Sequence, residues 1–188
     1  MRKLIHLFLI IALSSCNKTE TNKTYTTGPQ KGSLIIVGGN LTDQKIYQKF
    51  LDLSGGVDSP IVIVVTASED ELLAKPDFNS TVKKPFETIG FKNITILHTR
   101  NPEIANTDSF ITPIKQAKGL WFTGGRQWRL VDAYAQTKAF EEFFKLLDRG
   151  GVIGGSSAGA TIQGSFLVRG DTKTNTILIG DHQQGIRF

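Results

Sequence analysis

Short, almost wholly apolar runs alternate along the chain with longer stretches in which apolar positions recur every three or four residues. The short runs are 34–37, 61–65, 94–97, 120–122 and 152–153. A half-exposed antiparallel strand alternates apolar and polar positions, and these do not, so they predict parallel strands buried on both faces. The longer stretches predict crossover helices over 44–53, about 81–89, 110–117 and 130–147, the last with a break near Thr137. Within it Phe140, Phe143, Phe144 and Leu147 share one face that can pack on the sheet. Strands alternating with helices predict an α/β fold, a layered α/β/α domain with a mostly parallel sheet. No internal repeat or low-complexity tract is visible.

The first residues follow another pattern. Arg2 and Lys3 precede an apolar run, 4–13, broken only by His6, and then come Ser14, Ser15 and Cys16. This is the order of a secretory leader, with an apolar run too short to span a bilayer as a helix. Leu13-Ser14-Ser15-Cys16 resembles the bacterial lipoprotein box. That resemblance implies cleavage before Cys16, lipid on its thiol, and an exported protein anchored to a bacterial membrane on its periplasmic or outer-membrane side. The plainer reading is the end of an ordinary leader or of a buried N-terminal helix. Cys16 is the only cysteine, so no internal disulfide can form. Residues 17–30 are rich in Thr, Asn, Lys, Gly and Pro and predict a flexible tether. The expected organisation is a signal peptide at 1–15, a tether at 16–32 and one domain at 33–188, since 188 residues leave room for little more.

Charge narrows the function classes. The whole chain carries 22 basic and 17 acidic residues; without Arg2 and Lys3 the balance is 20 to 17, or +3. That excess is too small to imply nucleic acid, and no long basic run or RNA-binding aromatic signature accompanies it. No Cys/His ligand spacing appears either, and no metal or organic cofactor is implied.

Glycine pairs stand near the ends of the predicted strands: Gly38-Gly39, Gly124-Gly125 and Gly154-Gly155. Each is either a tight turn or part of a site at the carboxyl edge of the sheet, where ligands bind in open α/β folds. The third pair opens the most informative segment. Gly155-Ser156-Ser157-Ala158-Gly159 is a GxSxG motif between an apolar strand and a helix start, the context in which this motif makes a nucleophile elbow. Such a bend lifts the serine hydroxyl clear of the sheet, while small residues around it leave backbone N–H groups open to a developing oxyanion. Ser156 lacks the symmetric glycine spacing, so Ser157 is the candidate nucleophile.

Gly154-Gly155-Ser156-Ser157-Ala158-Gly159-Ala160, with Phe122-Thr123-Gly124-Gly125-Arg126-Gln127-Trp128-Arg129-Leu130 and Val37-Gly38-Gly39-Asn40, resembles the cyanophycinase and aspartyl dipeptidase family of serine peptidases over about residues 33–188. The resemblance implies a flavodoxin-like domain similar to class I glutamine amidotransferases. It also implies hydrolysis of aspartyl peptides, or of β-aspartyl isopeptides such as the β-Asp-Arg units of cyanophycin. On that resemblance Ser157 is the nucleophile, the N–H groups of Ala158 and Gly125 hold the oxyanion, and Gln127 contacts the aspartyl part of the substrate. Arg126 stands where cyanophycinases typically have aspartate; it either holds a substrate carboxylate or is a solvated loop arginine.

A serine nucleophile needs a base. Beyond the leader the chain offers His98, at the end of a predicted strand, and His182. His98 is either near the catalytic edge or a capping or surface histidine. In the family the histidine belongs to an Asp-Gln-His motif expected beyond Phe188, so the C-terminal part of the fold is expected to be missing and these residues alone to hydrolyse little. Two readings follow: a fragment of a longer active peptidase, or a degenerate product that keeps the elbow and lacks its base. The alternative function is a catalytically inactive, lipid-anchored protein that binds acidic peptides without cutting them.

Overall fold

A computed structural model describes residues 28–167, 169–170, 177–178 and 184–188. The leader, Cys16, most of the tether and His182 lie outside the described residues.

In chain order the elements are β1 (Ser33–Val37), α1 (Gln44–Ser54), β2 (Ile61–Val64), α2 (Asp70–Leu73), α3 (Phe78–Thr88), β3 (Ile94–Leu97), α4 (Pro102–Ala105), α5 (Asp108–Gln116), β4 (Gly119–Phe122), α6 (Gln127–Tyr134), α7 (Lys138–Asp148), β5 (Val152–Ser156), α8 (Ala158–Thr161), β6 (Arg169–Gly170) and β7 (Ile177–Leu178). β1 to β5 form one sheet in the order β1-β5-β4-β2-β3, every pair parallel, while β6 and β7 pair antiparallel apart from it. Read from β3, the strands β3-β2-β4-β5 run in flavodoxin order. The first strand of the chain, β1, adds at the far edge beside β5.

The side-chain alternation of the strands divides the core in two. Ile61, Ile63, Val65, Trp121 and Val152 pack with Phe50, Leu51, Phe86 and Phe91 from the α1 and α3 side. Val62, Val64, Leu120, Phe122 and Ile153 face Ile111, Ile114, Leu130, Tyr134, Phe143 and Leu146 from α5, α6 and α7. Each face thus has its own helical cover, which is why β2 and β4 carry apolar residues at every position. The break expected near Thr137 separates α6 from α7. Thr137 caps α7 by accepting from the Phe140 N–H at 3.3 Å, and its own hydroxyl donates to the Tyr134 carbonyl at 2.7 Å.

Two expectations are corrected. Burial on both faces fails at the sheet margins: β1 and β3 are edge strands, only partly buried, and Ile36 is 64 % exposed. An apolar run alone does not distinguish an edge strand from a central one. Second, Gly154-Gly155 is not a loop after β5 but part of the strand. Gly154 lies under the Trp121 ring, where a Cβ would stand 2.3 Å from Cε3.

Candidate active site at the β5–α8 bend

β5 runs between β1 and β4 and ends in a bend that lifts one residue out of the sheet. Ser157 sits there at φ 54° and ψ −115°, a backbone conformation that non-glycine residues avoid, with its side chain exposed. Its N–H donates to the Val37 carbonyl at 3.0 Å, which holds the bend against the end of β1. Ser156 remains extended in β5 and only partly exposed, so of the two serines only Ser157 occupies the tip.

Close backbone packing accounts for both motif glycines. A Cβ on Gly159 would lie 2.1 Å from the Phe122 carbonyl oxygen, and one on Gly155 would lie 2.3 Å from the Gly159 oxygen. α8 can therefore descend onto the end of β4 only with hydrogen at these two positions. Ala158, the first residue of α8, is buried; its N–H precedes any carbonyl the helix could offer it. Gln163 ties the arrangement to β1: its Nε2 donates to the Gly159 carbonyl at 2.9 Å and the Ile35 carbonyl at 3.3 Å.

The loop after β4 forms the other wall. A side chain at Gly124 would begin 3.3 Å from the Ser157 Cβ and 3.8 Å from its Oγ, so Gly124 lies directly beside the serine. Gly125 follows at φ 135° with its Cα pressed on the Ala67 carbonyl, and the Arg126 N–H donates to that same oxygen at 2.8 Å. Gln127, partly exposed, opens α6. The structure thus gathers Ser157, Ala158 and Gly125 at the carboxyl ends of β4 and β5, with Arg126 next on the loop and Gln127 at the start of α6.

Arg126 is not a solvated loop residue: its side chain is only 12 % exposed and its Nε lies 3.5 Å from Glu69 Oε1. Arg129, equally buried, reaches Glu69 Oε2 at 3.3 Å and donates to the Ser68 carbonyl at 2.6 Å and the Ala67 carbonyl at 3.3 Å. Arg100 pairs with Asp70 at 2.5 Å and donates to the Ser68 carbonyl at 2.8 Å. Sequence reasoning gave Glu69, Asp70, Arg100 and Arg129 no role. The available signal was position, since Glu69 lies in the stretch between β2 and α2, Asp70 stands at the start of α2, and Arg129 stands one turn after Arg126. Beneath this cluster Tyr134 and Thr66 share a buried hydrogen bond of 2.6 Å, and burial pushes the Tyr134 phenol far above its ordinary range, which keeps it neutral.

His98 lies on the wrong side of the sheet to act on Ser157. It follows β3, three strands from β5, about 14 Å away at roughly 4.8 Å per strand. Burial lowers its pKa from 6.5, with help from Arg100 and against the pull of Asp70. Just below 6.5 the unfolded chain binds a proton that the folded chain refuses, so this residue's contribution to stability is lost as pH falls through that window. Asp70, held below its usual carboxylate value mainly by the Arg100 hydrogen bond, acts in the same direction at lower pH. His98→Gln is expected to flatten the fall of the urea midpoint between pH 7 and pH 5; a slope equal to wild type would show that His98 has no part in it.

A parallel α/β sheet with a serine at a strained strand-to-helix bend defines a class, the layered proteins that carry a nucleophile-elbow geometry. Comparison with known proteins narrows it. The model of peptidase family S51 matches residues 34–178, and the chain belongs to that family. It is 26 % identical over 144 residues to a cyanophycinase of Geminocystis herdmanii (strain PCC 6308), covering 74 % of this chain and 52 % of that protein. The chain therefore spans about half the length of this curated relative. Two solved structures share the fold. A peptidase from an acI-B1 Actinobacterium superposes with TM-score 0.62 at 18 % identity, covering 81 % of this chain and 62 % of that one. A putative peptidase E protein from Listeria monocytogenes EGD-e gives TM-score 0.55 at 16 % identity, with 82 % and 72 % covered.

Proposed function

We propose that the protein is an exported serine-type peptidase that cleaves aspartyl peptides, or β-aspartyl isopeptides such as β-Asp-Arg, through an acyl-enzyme on Ser157. The observation that carries this reading is the positive φ of an exposed serine at the tip of the bend, a strain that a merely structural turn would relieve with glycine. Ser157 Oγ attacks the substrate carbonyl while its proton passes to a base; the N–H groups of Ala158 and Gly125 hold the oxyanion. The proton then goes to the leaving amine, and water hydrolyses the resulting ester. Arg126 and Gln127, beside the serine's loop, bind the acidic part of the substrate, so cleavage favours peptides with aspartate over neutral ones. Organic cofactors and metals have no step in this scheme.

The base is assigned to the histidine of the Asp-Gln-His motif that the family resemblance implies. Residues 1–15 are removed as a signal peptide, Cys16 carries lipid, and 16–32 tether the peptidase domain of 33–188 to the membrane. The test is to express the full reading frame and assay β-Asp-Arg and Asp-X dipeptides with wild type and Ser157→Ala. Equal rates in the two would end the assignment.

A second reading, a lipid-anchored binder of acidic peptides, is favoured by one observation: His98, the one histidine among the described residues, stands at the far edge of the sheet. Isothermal titration with an Asp-X dipeptide separates the two, since the binder retains intact peptide and the peptidase returns its products.

A further inference from the structure

The loop beside Ser157 rests on a second loop that a side chain of α6 bonds at two carbonyls. We infer that Arg129 is a positioning residue that sets the oxyanion loop 123–126 by clamping the loop after β2, an inference that rests on the peptidase reading above.

Three layers of backbone stack at the carboxyl edge of the sheet. The bend at Ser156 and Ser157 touches Gly124. Residues 123–126 in turn lie on residues 64–68: the Thr123 N–H donates to the Val64 carbonyl at 3.1 Å, Gly125 sits on the Ala67 carbonyl, and the Arg126 N–H donates to it at 2.8 Å. The position of Gly125, and with it the direction of its N–H, is therefore set by where Ala67 stands. Residues 65–69 are fixed by several groups, most of them outside the loop itself. Beyond the ladder with β3, the Ser68 N–H donates to the Val65 carbonyl at 3.0 Å, the Thr66 hydroxyl shares its hydrogen bond with Tyr134, Arg100 donates to the Ser68 carbonyl at 2.8 Å, and the Glu69 carbonyl accepts from the Leu72 and Leu73 N–H groups.

Arg129 adds a side-chain constraint at the Ala67 carbonyl, the atom on which Gly125 rests. From the first turn of α6 its Nη1 donates to the carbonyls of both Ala67 and Ser68, and its Nη2 reaches Glu69. The planar fork of a guanidinium can span two successive carbonyls and a carboxylate at once, whereas an ammonium meets them as a single point charge. The Trp128 ring, with the guanidinium carbon 5.4 Å from its centroid, backs the group. The clamp thus ties α6 to the loop on which its own leading residues rest, and the loop between them carries Gly125.

An amide displaced by a fraction of an ångström loses part of what a whole oxyanion donor contributes, about 100- to 1000-fold in kcat. With protein from the full reading frame, Arg129→Met is expected to lower kcat on an Asp-X dipeptide about 10- to 100-fold with KM within roughly threefold. Affinity for a peptide aldehyde, whose adduct occupies the oxyanion site, should fall by a similar factor while product affinity stays. Arg129→Lys should lie between the two. It also decides the matter if Arg129→Met fails to fold, because a folded lysine variant with wild-type kcat would overturn the proposal. A raised KM with unchanged kcat would overturn it too, by making Arg129 a substrate ligand. Amide hydrogen exchange over 65–69 and 123–127 separates the two levels of the reading. Faster exchange there in the variant, with a wild type that hydrolyses nothing, would remove the peptidase and leave the clamp. An active wild type, dead as Ser157→Ala, whose Arg129 variants keep kcat and exchange would remove the clamp alone.

Discussion

Gly125→Ala is expected to destabilise the protein by about 2–6 kcal/mol, more than Gly159→Ala or Gly38→Ala. Two costs coincide at this residue. Its φ of 135° is open to glycine and closed to other L-residues, a strain of about 1–3 kcal/mol. The new Cβ would also stand 2.0 Å from the Ala67 oxygen and 2.4 Å from its carbonyl carbon, and relieving such overpacking against backbone costs about 1–3 kcal/mol more. Gly159→Ala meets only the second cost, 2.1 Å from the Phe122 oxygen at an ordinary φ, and should lose about 1–3 kcal/mol. Gly38→Ala meets neither, with nothing within 4 Å of the added Cβ, and should stay within about 0.5 kcal/mol of wild type. Urea midpoints of the three variants give the order directly. Should Gly125→Ala unfold at the same concentration as Gly38→Ala, the stacking of residues 123–126 on residues 64–68 is wrong, and the oxyanion assignment of Gly125 goes with it.

The same three glycines show what was legible in the sequence. The central strands could be read because helices cover both faces of β2 and β4, which leaves no polar position to confuse the pattern. The longer helices could be read for a similar reason, each having one face on the sheet. Four-residue helices such as α2 and α4 are about one turn long and cannot show a period. The motif around Ser157 was visible because an elbow is local: strand, bend and helix start are consecutive, and its glycines record contacts made within a few residues or with the neighbouring strand. The pairing of Glu69 with Arg126 and Arg129 bridges about 60 residues and exists because β2 and β4 are neighbours in the sheet. Strand order is a long-range choice that apolar runs leave open, so the charged wall behind the loop could not be assembled from the sequence. Gly125 lies between these cases. Its doubling with Gly124 was evident, but the reason for it, a carbonyl from another strand's loop in the space of its side chain, required the fold.

Ser157→Gly is expected to stabilise the protein by about 0.5–2 kcal/mol while abolishing hydrolysis. At φ 54° and ψ −115° a serine is strained by about 1–3 kcal/mol, and glycine adopts the same backbone without that cost. Glycine's larger freedom in the unfolded chain offsets about 0.5–1 kcal/mol of the gain. The remainder corresponds to a rise of roughly 1–8 °C in Tm, at about 2–4 °C per kcal/mol for a domain of this size. Ser157→Ala keeps the Cβ and hence the strain, and the side chain is exposed, so its Tm should match wild type closely. Both variants lack the hydroxyl, and on the peptidase reading both lose about 10⁴-fold or more in kcat. Comparing glycine with alanine therefore separates backbone strain from chemistry, since activity falls equally in the two and only glycine raises Tm. If the two melt together, the bend holds no strain at Ser157, and the feature that singles this serine out from Ser156 loses its physical basis.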